Sequence, residues 1–147
     1  MRSKLAEILK RLAEKHGIQC NVSLEELLAY LSGPSYEDDR TSLNKILEEE
    51  LLLLHEVVEI CFLKNMSYKI NEATIQYAYP DTYRAHLEAM SIELDEAKRI
   101  GRISWVEKRC RDLEEYLDDP HLPRNLEPLV HMLINSYCSR TRRATNH

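Results

Sequence analysis

The chain has 147 residues, a length typical of one domain rather than two. Hydrophobic residues make up 44% of it and charged residues 31%, a balance that belongs to a folded protein and excludes a disordered one. The net charge of −5 disfavours nucleic-acid binding, because an acidic surface repels phosphates. Only 3 glycines are present and helix-forming residues are plentiful, so the composition predicts an all-α fold.

Two short helices are predicted at the start of the chain. The first carries apolar residues at helical spacing between positions 5 and 12 and ends at Gly17. Ser23 and Glu26 form a Ser-x-x-Glu capping box, which is typical of the start of a helix. The Gly-Pro pair at positions 33 and 34 is expected to stop this second helix.

A long central helix is predicted over residues 39–64. Apolar residues recur on one stripe between positions 43 and 61, and Leu52 and Leu63 add a second apolar face. At 1.5 Å per residue such a helix would be roughly 38 Å long. Because it is apolar on several sides, we expect it to lie at the centre of the fold and to be contacted by several other helices.

The rest of the chain predicts further helices. Asn71 is expected to cap a short helix, and Pro80 to separate it from a helix over residues 81–99. Ser104 and Glu107 form a second capping box, and a proline-marked connection at 120–125 precedes a last helix. Short connections favour antiparallel neighbours, so residues 1–138 are predicted to form a single-domain bundle of about six to seven helices. Residues 139–147 are predicted to be a basic, disordered tail.

The four cysteines, Cys20, Cys61, Cys110 and Cys138, are far apart in the sequence. No pair has the close spacing of a zinc or redox motif. Cys61 and Cys110 fall on apolar helical faces, where a thiol acts as a small hydrophobic group. Since no signal peptide or membrane-spanning run is recognisable, we expect reduced thiols and a soluble, cytoplasmic protein.

Polar residues occupy positions between apolar ones on two of the predicted helices. The long helix carries His55, Glu56 and Glu59, and the helix over residues 81–99 carries His86 and Glu93. Burying a carboxylate costs free energy unless it is paired or binds a metal. If the two helices pack face to face, these five side chains converge. The pattern then indicates a divalent-metal site for Zn, Mn, Fe or Mg inside a helical bundle.

A second interpretation needs no metal. His55 and His86 would then be hydrogen-bonded residues at the edge of the core, and the glutamates would pair with Arg84, Lys98 or Arg99. Under this interpretation the protein is a non-catalytic interaction or structural domain, which is the leading hypothesis from the sequence. Aliphatic residues left over for a protein–protein surface favour a homodimer.

Two acidic motifs suggest a third interpretation. Glu56-x-x-Glu59 and Glu93-x-x-Glu96 resemble the paired motifs of the MazG-like all-α nucleotide pyrophosphohydrolases. The resemblance implies Mg²⁺ held by four carboxylates, with water attacking a nucleoside triphosphate. The chain departs from the family pattern because the second motif ends in Glu where Asp is usual. An extra helix also lies between the two motifs.

A wider stretch, residues 54–123, resembles small conserved archaeal helical proteins of unknown function. The resemblance is carried by His55-Glu56, Tyr83-x-x-His86, Glu93 and the end of the helix before Pro120. It implies an all-α fold and a reduced cytoplasm. It implies no activity, so no functional residue is assigned from it.

Overall fold

A computed structural model describes residues 1–33 and 43–138 of the chain. All regular secondary structure in these two ranges is helical, which confirms the predicted all-α class. The α-helices are α1 (Arg2–His16), α2 (Leu24–Ser32), α3 (Leu43–Glu48), α4 (Glu50–Asn65), α5 (Thr74–Tyr77), α6 (Asp81–Arg99), α7 (Ile103–Tyr116) and α8 (Glu127–Tyr137). A short 3-10 turn, Arg124–Leu126, precedes α8. The predicted disordered tail, residues 139–147, lies outside the described ranges.

The long central helix was predicted over residues 39–64, of which residues 39–42 lie outside the described ranges. In the described part the prediction is wrong in one respect, because two helices stand where one was expected. α3 ends at Glu48 and α4 begins at Glu50. Between them Glu49 has an extended backbone, and its side chain accepts a hydrogen bond from the backbone N–H of Leu51. A side chain that caps the next turn competes with continuation of the helix, so the helix is interrupted at Glu49. α4 itself is buried on several sides, as predicted for the central helix.

Local signals at helix ends account for several boundaries. Gly17 follows α1 in the left-handed conformation, with φ 66°, and Ser23 and Glu26 form the predicted reciprocal capping box of α2. The second predicted box, at Ser104 and Glu107, is wrong. α7 begins at Ile103, so Ser104 lies inside the first turn and cannot act as the N-cap.

The described residues divide into two compact units, one that ends at Ile92 and one that begins at Glu93. The first unit has a core of apolar side chains drawn largely from α1, α2 and α4. In the second unit Val106, Leu113, Val130 and Ile134 are buried, on α7 and α8. The single domain predicted for residues 1–138 stays a prediction.

Disulfide bonds join the four cysteines in pairs, so the expectation of reduced thiols is wrong. Cys20 is bonded to Cys61, and Cys110 to Cys138, with Cα–Cα distances of 5.7 and 5.8 Å. The partners are 41 and 28 residues apart, a separation that carries no sequence signal of pairing. The first bond links the α1–α2 connection to α4, and the second links α7 to the end of α8.

None of the helices in the described part of the chain combines the length and the apolar composition needed to cross a bilayer.

Candidate metal centre

His55 and Glu59 are the two residues of the site that lie on α4. They are four residues apart, so one turn of the helix places both side chains on the same face. Nε2 of His55 lies 2.8 Å from Oε2 of Glu59. This proximity follows from local geometry, and it confirms the shared face that their spacing predicts.

His86 reaches the same point from α6. Its Nδ1 lies 3.0 Å from Nε2 of His55 and 3.2 Å from Oε2 of Glu59. The beginning of α6 is held by Tyr68, whose hydroxyl donates a hydrogen bond of 2.6 Å to Asp81 in the first turn. Two imidazole nitrogens and one carboxylate oxygen therefore form a small triangle within the first unit.

Tyr30 on α2 completes the surroundings of the carboxylate. Its hydroxyl donates a hydrogen bond to Oε1 of Glu59, while Oε2 faces the two histidines. Tyr30 was not among the site residues predicted from the sequence. It lies three residues after the buried Leu27 on the apolar face of α2, and a buried tyrosine hydroxyl usually has a hydrogen-bonding partner. That requirement is the signal that could have indicated Tyr30.

The site is almost closed to solvent. His55 is 2% exposed and Glu59 8% exposed, and the His86 side chain is 12% exposed. Burial alone would raise the pKa of the Glu59 carboxyl, but hydrogen bonds and charge interactions with His55 and His86 outweigh it. The pKa of Glu59 is therefore held well below its ordinary value, so this carboxyl group is ionised at neutral pH and available as a metal ligand.

Hydrogen bonding cannot satisfy all three contacts of the triangle at once. In the ring plane, each imidazole nitrogen has either one hydrogen or one lone pair. If both nitrogens carry hydrogen, the N–H groups of His55 and His86 oppose each other across 3.0 Å. If one of them does not, its lone pair faces the ionised oxygen of Glu59. A cation that accepts all three lone pairs removes this conflict.

The size of the triangle also fits a metal ion. Atoms separated by 2.8, 3.0 and 3.2 Å lie on a circle of radius about 1.7 Å. An ion about 1.1 Å from their plane would therefore be roughly 2.1 Å from each, the distance that zinc takes to imidazole nitrogen and carboxylate oxygen. Among the residues that the structure describes, His55, Glu59 and His86 are the one group of three or more side chains with such ligand spacing.

Two of the five predicted ligands, Glu56 and Glu93, are not members of this group. Glu56 lies half-buried on α4. Glu93 belongs to the second unit, where its two oxygens accept bonds of 2.7 and 2.9 Å from Arg109 and its Oε2 accepts one of 2.6 Å from Trp105. Burial would lower the pKa of Arg109, but the Glu93 carboxylate outweighs it and raises that pKa above its ordinary value.

Glu96, the last residue of the second acidic motif, is buried and forms an ion pair with Arg99 one turn further along α6. This pairing is the one that the metal-free interpretation predicts for a glutamate in this region. Glu59 differs from Glu96, because its neighbours are the two histidines and Tyr30.

Comparisons with protein-family models, with curated proteins and with solved structures found no match to this chain. The resemblances to archaeal helical proteins and to MazG-like enzymes stay predictions. The fold and the site together describe an all-α chain that carries two histidines and one glutamate in a shielded cluster of its first unit.

Proposed function

We propose that this protein binds one divalent transition-metal ion through Nε2 of His55, Oε2 of Glu59 and Nδ1 of His86. The supporting observation is the convergence of these three atoms within 3.2 Å of one another at a site largely shielded from solvent. Two imidazoles and one carboxylate suit Zn²⁺, Fe²⁺ or Mn²⁺. They suit Mg²⁺ poorly, because Mg²⁺ prefers oxygen ligands and retains its water.

A site with three protein ligands leaves at least one coordination position open. Catalytic zinc centres with two histidines and one glutamate use that position for water, and non-haem iron centres with a similar set use it for small ligands. A metal-dependent hydrolase is therefore the enzymatic form of this proposal, with the ion lowering the pKa of its bound water. The shielding of the site favours water and other small molecules as the occupants of that position.

The Mg²⁺-dependent pyrophosphohydrolase is less well supported. It needs Glu56, Glu59, Glu93 and Glu96 to hold the ion together, with both histidines outside. Glu93 instead accepts three hydrogen bonds from Arg109 and Trp105 in the second unit, and Glu96 pairs with Arg99.

We also propose that the protein is cytoplasmic and forms a homodimer. A cytoplasmic location was expected together with reduced thiols, but both pairs of cysteines are oxidised. Disulfides form mainly in oxidising compartments, and the intracellular proteins of hyperthermophiles are the main exception. A cytoplasmic location is thus consistent with the disulfides in a hyperthermophilic cell.

Elemental analysis of the purified, untagged protein tests the metal proposal. The protein is incubated with Zn²⁺, Fe²⁺ or Mn²⁺, desalted, and measured by plasma mass spectrometry beside His86→Ala. His131→Ala is the matched control, because His131 is exposed on α8 in the second unit. We expect near-stoichiometric metal in the wild type and the control, and none in His86→Ala, while circular dichroism shows that helicity is retained.

Failure of the wild type to retain any of these ions would contradict the proposal. It would favour the hypothesis that the protein is a non-catalytic interaction domain. Equal metal content in wild type and His86→Ala would show that the ion binds elsewhere. Loss of metal in His131→Ala as well would point to unfolding or to a site in the second unit.

A further inference from the structure

We infer that Tyr30 determines which ions the site accepts, by restricting Glu59 to coordination through a single oxygen. This inference rests on the proposed metal site. Tyr30 would not itself touch the ion. It acts through Glu59, so it is a positioning residue.

The two oxygens of Glu59 have different neighbours. Oε1 accepts the hydrogen bond of the Tyr30 hydroxyl, and Oε2 lies 2.8 and 3.2 Å from the ring nitrogens of His55 and His86. A carboxylate can bind a metal through one oxygen or through both. With Oε1 occupied by the phenol, Glu59 presents only Oε2 to the ion. Hydrogen bonds of this kind to metal ligands orient them and tune affinity.

The position of Tyr30 is fixed because α2 is attached to α4 at a second point. Glu26, one turn before Tyr30, accepts a hydrogen bond of 3.0 Å from Nζ of Lys64 near the end of α4. The same Nζ donates to the backbone carbonyl of Asn21, 2.6 Å away, just ahead of α2. Tyr30 itself is 1% exposed. The phenol is therefore held against Glu59 whether or not an ion is present.

The Cys20–Cys61 disulfide adds a covalent link between the same two regions. Cys61 lies two residues after Glu59 on α4, and Cys20 lies in the connection that leads into α2. The connection, the capping residue Glu26 and Tyr30 thus all contact α4 along its second half. This arrangement leaves the phenol little freedom to withdraw from Oε1.

Restriction to one oxygen selects among ions by coordination number. Two nitrogens and one oxygen leave room for one water in a tetrahedral complex, which suits Zn²⁺ and its spectroscopic substitute Co²⁺. Mn²⁺ and Mg²⁺ prefer six ligands with more oxygen among them. The substitution Tyr30→Phe keeps the ring but removes the hydroxyl. It would release Oε1 to the ion, raise the coordination number and reduce the preference for Zn²⁺ over Mn²⁺.

Co²⁺ absorption tests this inference, since four-coordinate Co²⁺ absorbs visible light far more strongly than six-coordinate Co²⁺. We expect intense bands in the wild type and bands several-fold weaker in Tyr30→Phe. Competition titrations should show Zn²⁺ affinity lowered by about 10–100-fold in Tyr30→Phe, with Mn²⁺ affinity less affected. Tyr77→Phe is the matched control, because Tyr77 is 80% exposed, and it should behave as the wild type.

The outcomes separate the inference from the proposed function. A wild type that takes up no Co²⁺ overturns both. A wild type and a Tyr30→Phe variant with the same spectrum and the same Zn²⁺ affinity overturn only the role of Tyr30. If Tyr30→Phe does not fold, the wild-type spectrum still tests the inference, because weak six-coordinate bands would contradict the four-coordinate complex that it requires.

Discussion

Glu59 is the residue that connects the members of the cluster, since it contacts His55, His86 and Tyr30. Two of these neighbours are histidines, which can bind a metal, and the third is the hydroxyl of Tyr30, which donates a hydrogen bond. An acid in this position must be ionised to satisfy them, and its lowered pKa agrees with that requirement. A substitution of Glu59 is therefore expected to affect metal binding more strongly than it affects the fold.

Replacing Glu59 with Gln removes the charge but keeps the shape and one acceptor oxygen. We expect Glu59→Gln to abolish metal binding, because a neutral amide is a much weaker ligand for Zn²⁺ than a carboxylate. Loss of the charge-assisted bonds should also lower the free energy of unfolding by about 1–3 kcal/mol. Metal content and urea denaturation measure the two effects. Glu115→Gln, at an exposed position of α7, is the control and should leave both unchanged.

Glu26 gives a pH-dependent prediction. Burial raises its pKa, but the bond from the backbone of Ser23 and the charge of Lys64 outweigh this and lower it. A carboxyl whose pKa is lower in the folded state stabilises the protein above its ordinary pKa. This contribution disappears as the pH falls through the lowered value.

Glu26→Gln keeps the capping box, because glutamine also fits it, and so isolates the charge. We expect the variant to be less stable than the wild type by about 0.5–1 kcal/mol at pH 7. The difference should be smaller at about pH 3, because this stabilisation is lost progressively as the pH falls below the ordinary carboxyl pKa. Denaturation at both pH values measures it, with exposed Glu107→Gln as the control. A difference that is equal at both pH values would contradict the assigned role of the charge.

At the level of secondary-structure elements, buried and partly buried polar contacts join helices in each unit. In the first unit Tyr30 and Glu26 of α2 contact α4, and in the second unit Glu93 of α6 holds Arg109 and Trp105 of α7. Glu93 is fully buried, and the Arg109 side chain is 12% exposed. Such a pair is sensitive to the loss of one partner, because the other charge is then left unpaired in the interior.

Arg109→Ala should therefore be strongly destabilising. We expect a loss of about 3–5 kcal/mol in the free energy of unfolding, since Glu93 loses both hydrogen bonds of its bidentate pair with Arg109. Arg111→Ala, at an exposed position of the same helix, should change it by less than about 0.5 kcal/mol. Chemical denaturation compares the two variants. Similar values for both would show that the buried pair contributes little.

At the scale of the whole molecule, each unit contains one disulfide. A covalent link between residues 41 apart in sequence reduces the entropy of the unfolded chain, and the shorter loop of 28 does so slightly less. Both bonds join helices to neighbouring segments that the core already holds together. Reduction is therefore expected to weaken the fold through the unfolded state.

Two measurements test the disulfides. Thiol titration of the unreduced protein in denaturant should find no free thiol, because all four cysteines are paired. The double variant Cys20→Ser, Cys61→Ser should lose about 2–5 kcal/mol of stability. Four reactive thiols in freshly purified protein would contradict the pairing and restore the expectation of a reduced state.

Features that depend on neighbours along the chain could be predicted from the sequence. Helical class, the end of α1 at Gly17 and the capping box of Ser23 and Glu26 follow from hydrogen bonding within one turn. The shared face of His55 and Glu59 follows from helical periodicity. Each of these signals lies within a few residues, so a single sequence carries it.

Which distant groups meet could be learned only from the packed helices. The sequence proposed His86 and Glu93 alike as ligands, yet His86 joins Glu59 while Glu93 pairs with Arg109. The partner of the Tyr30 hydroxyl and the partners of the cysteines were likewise beyond local signals. The physical reason is that such contacts depend on how helices pack. Packing is fixed by the sum of many apolar contacts across the core and not by the spacing of the polar residues themselves.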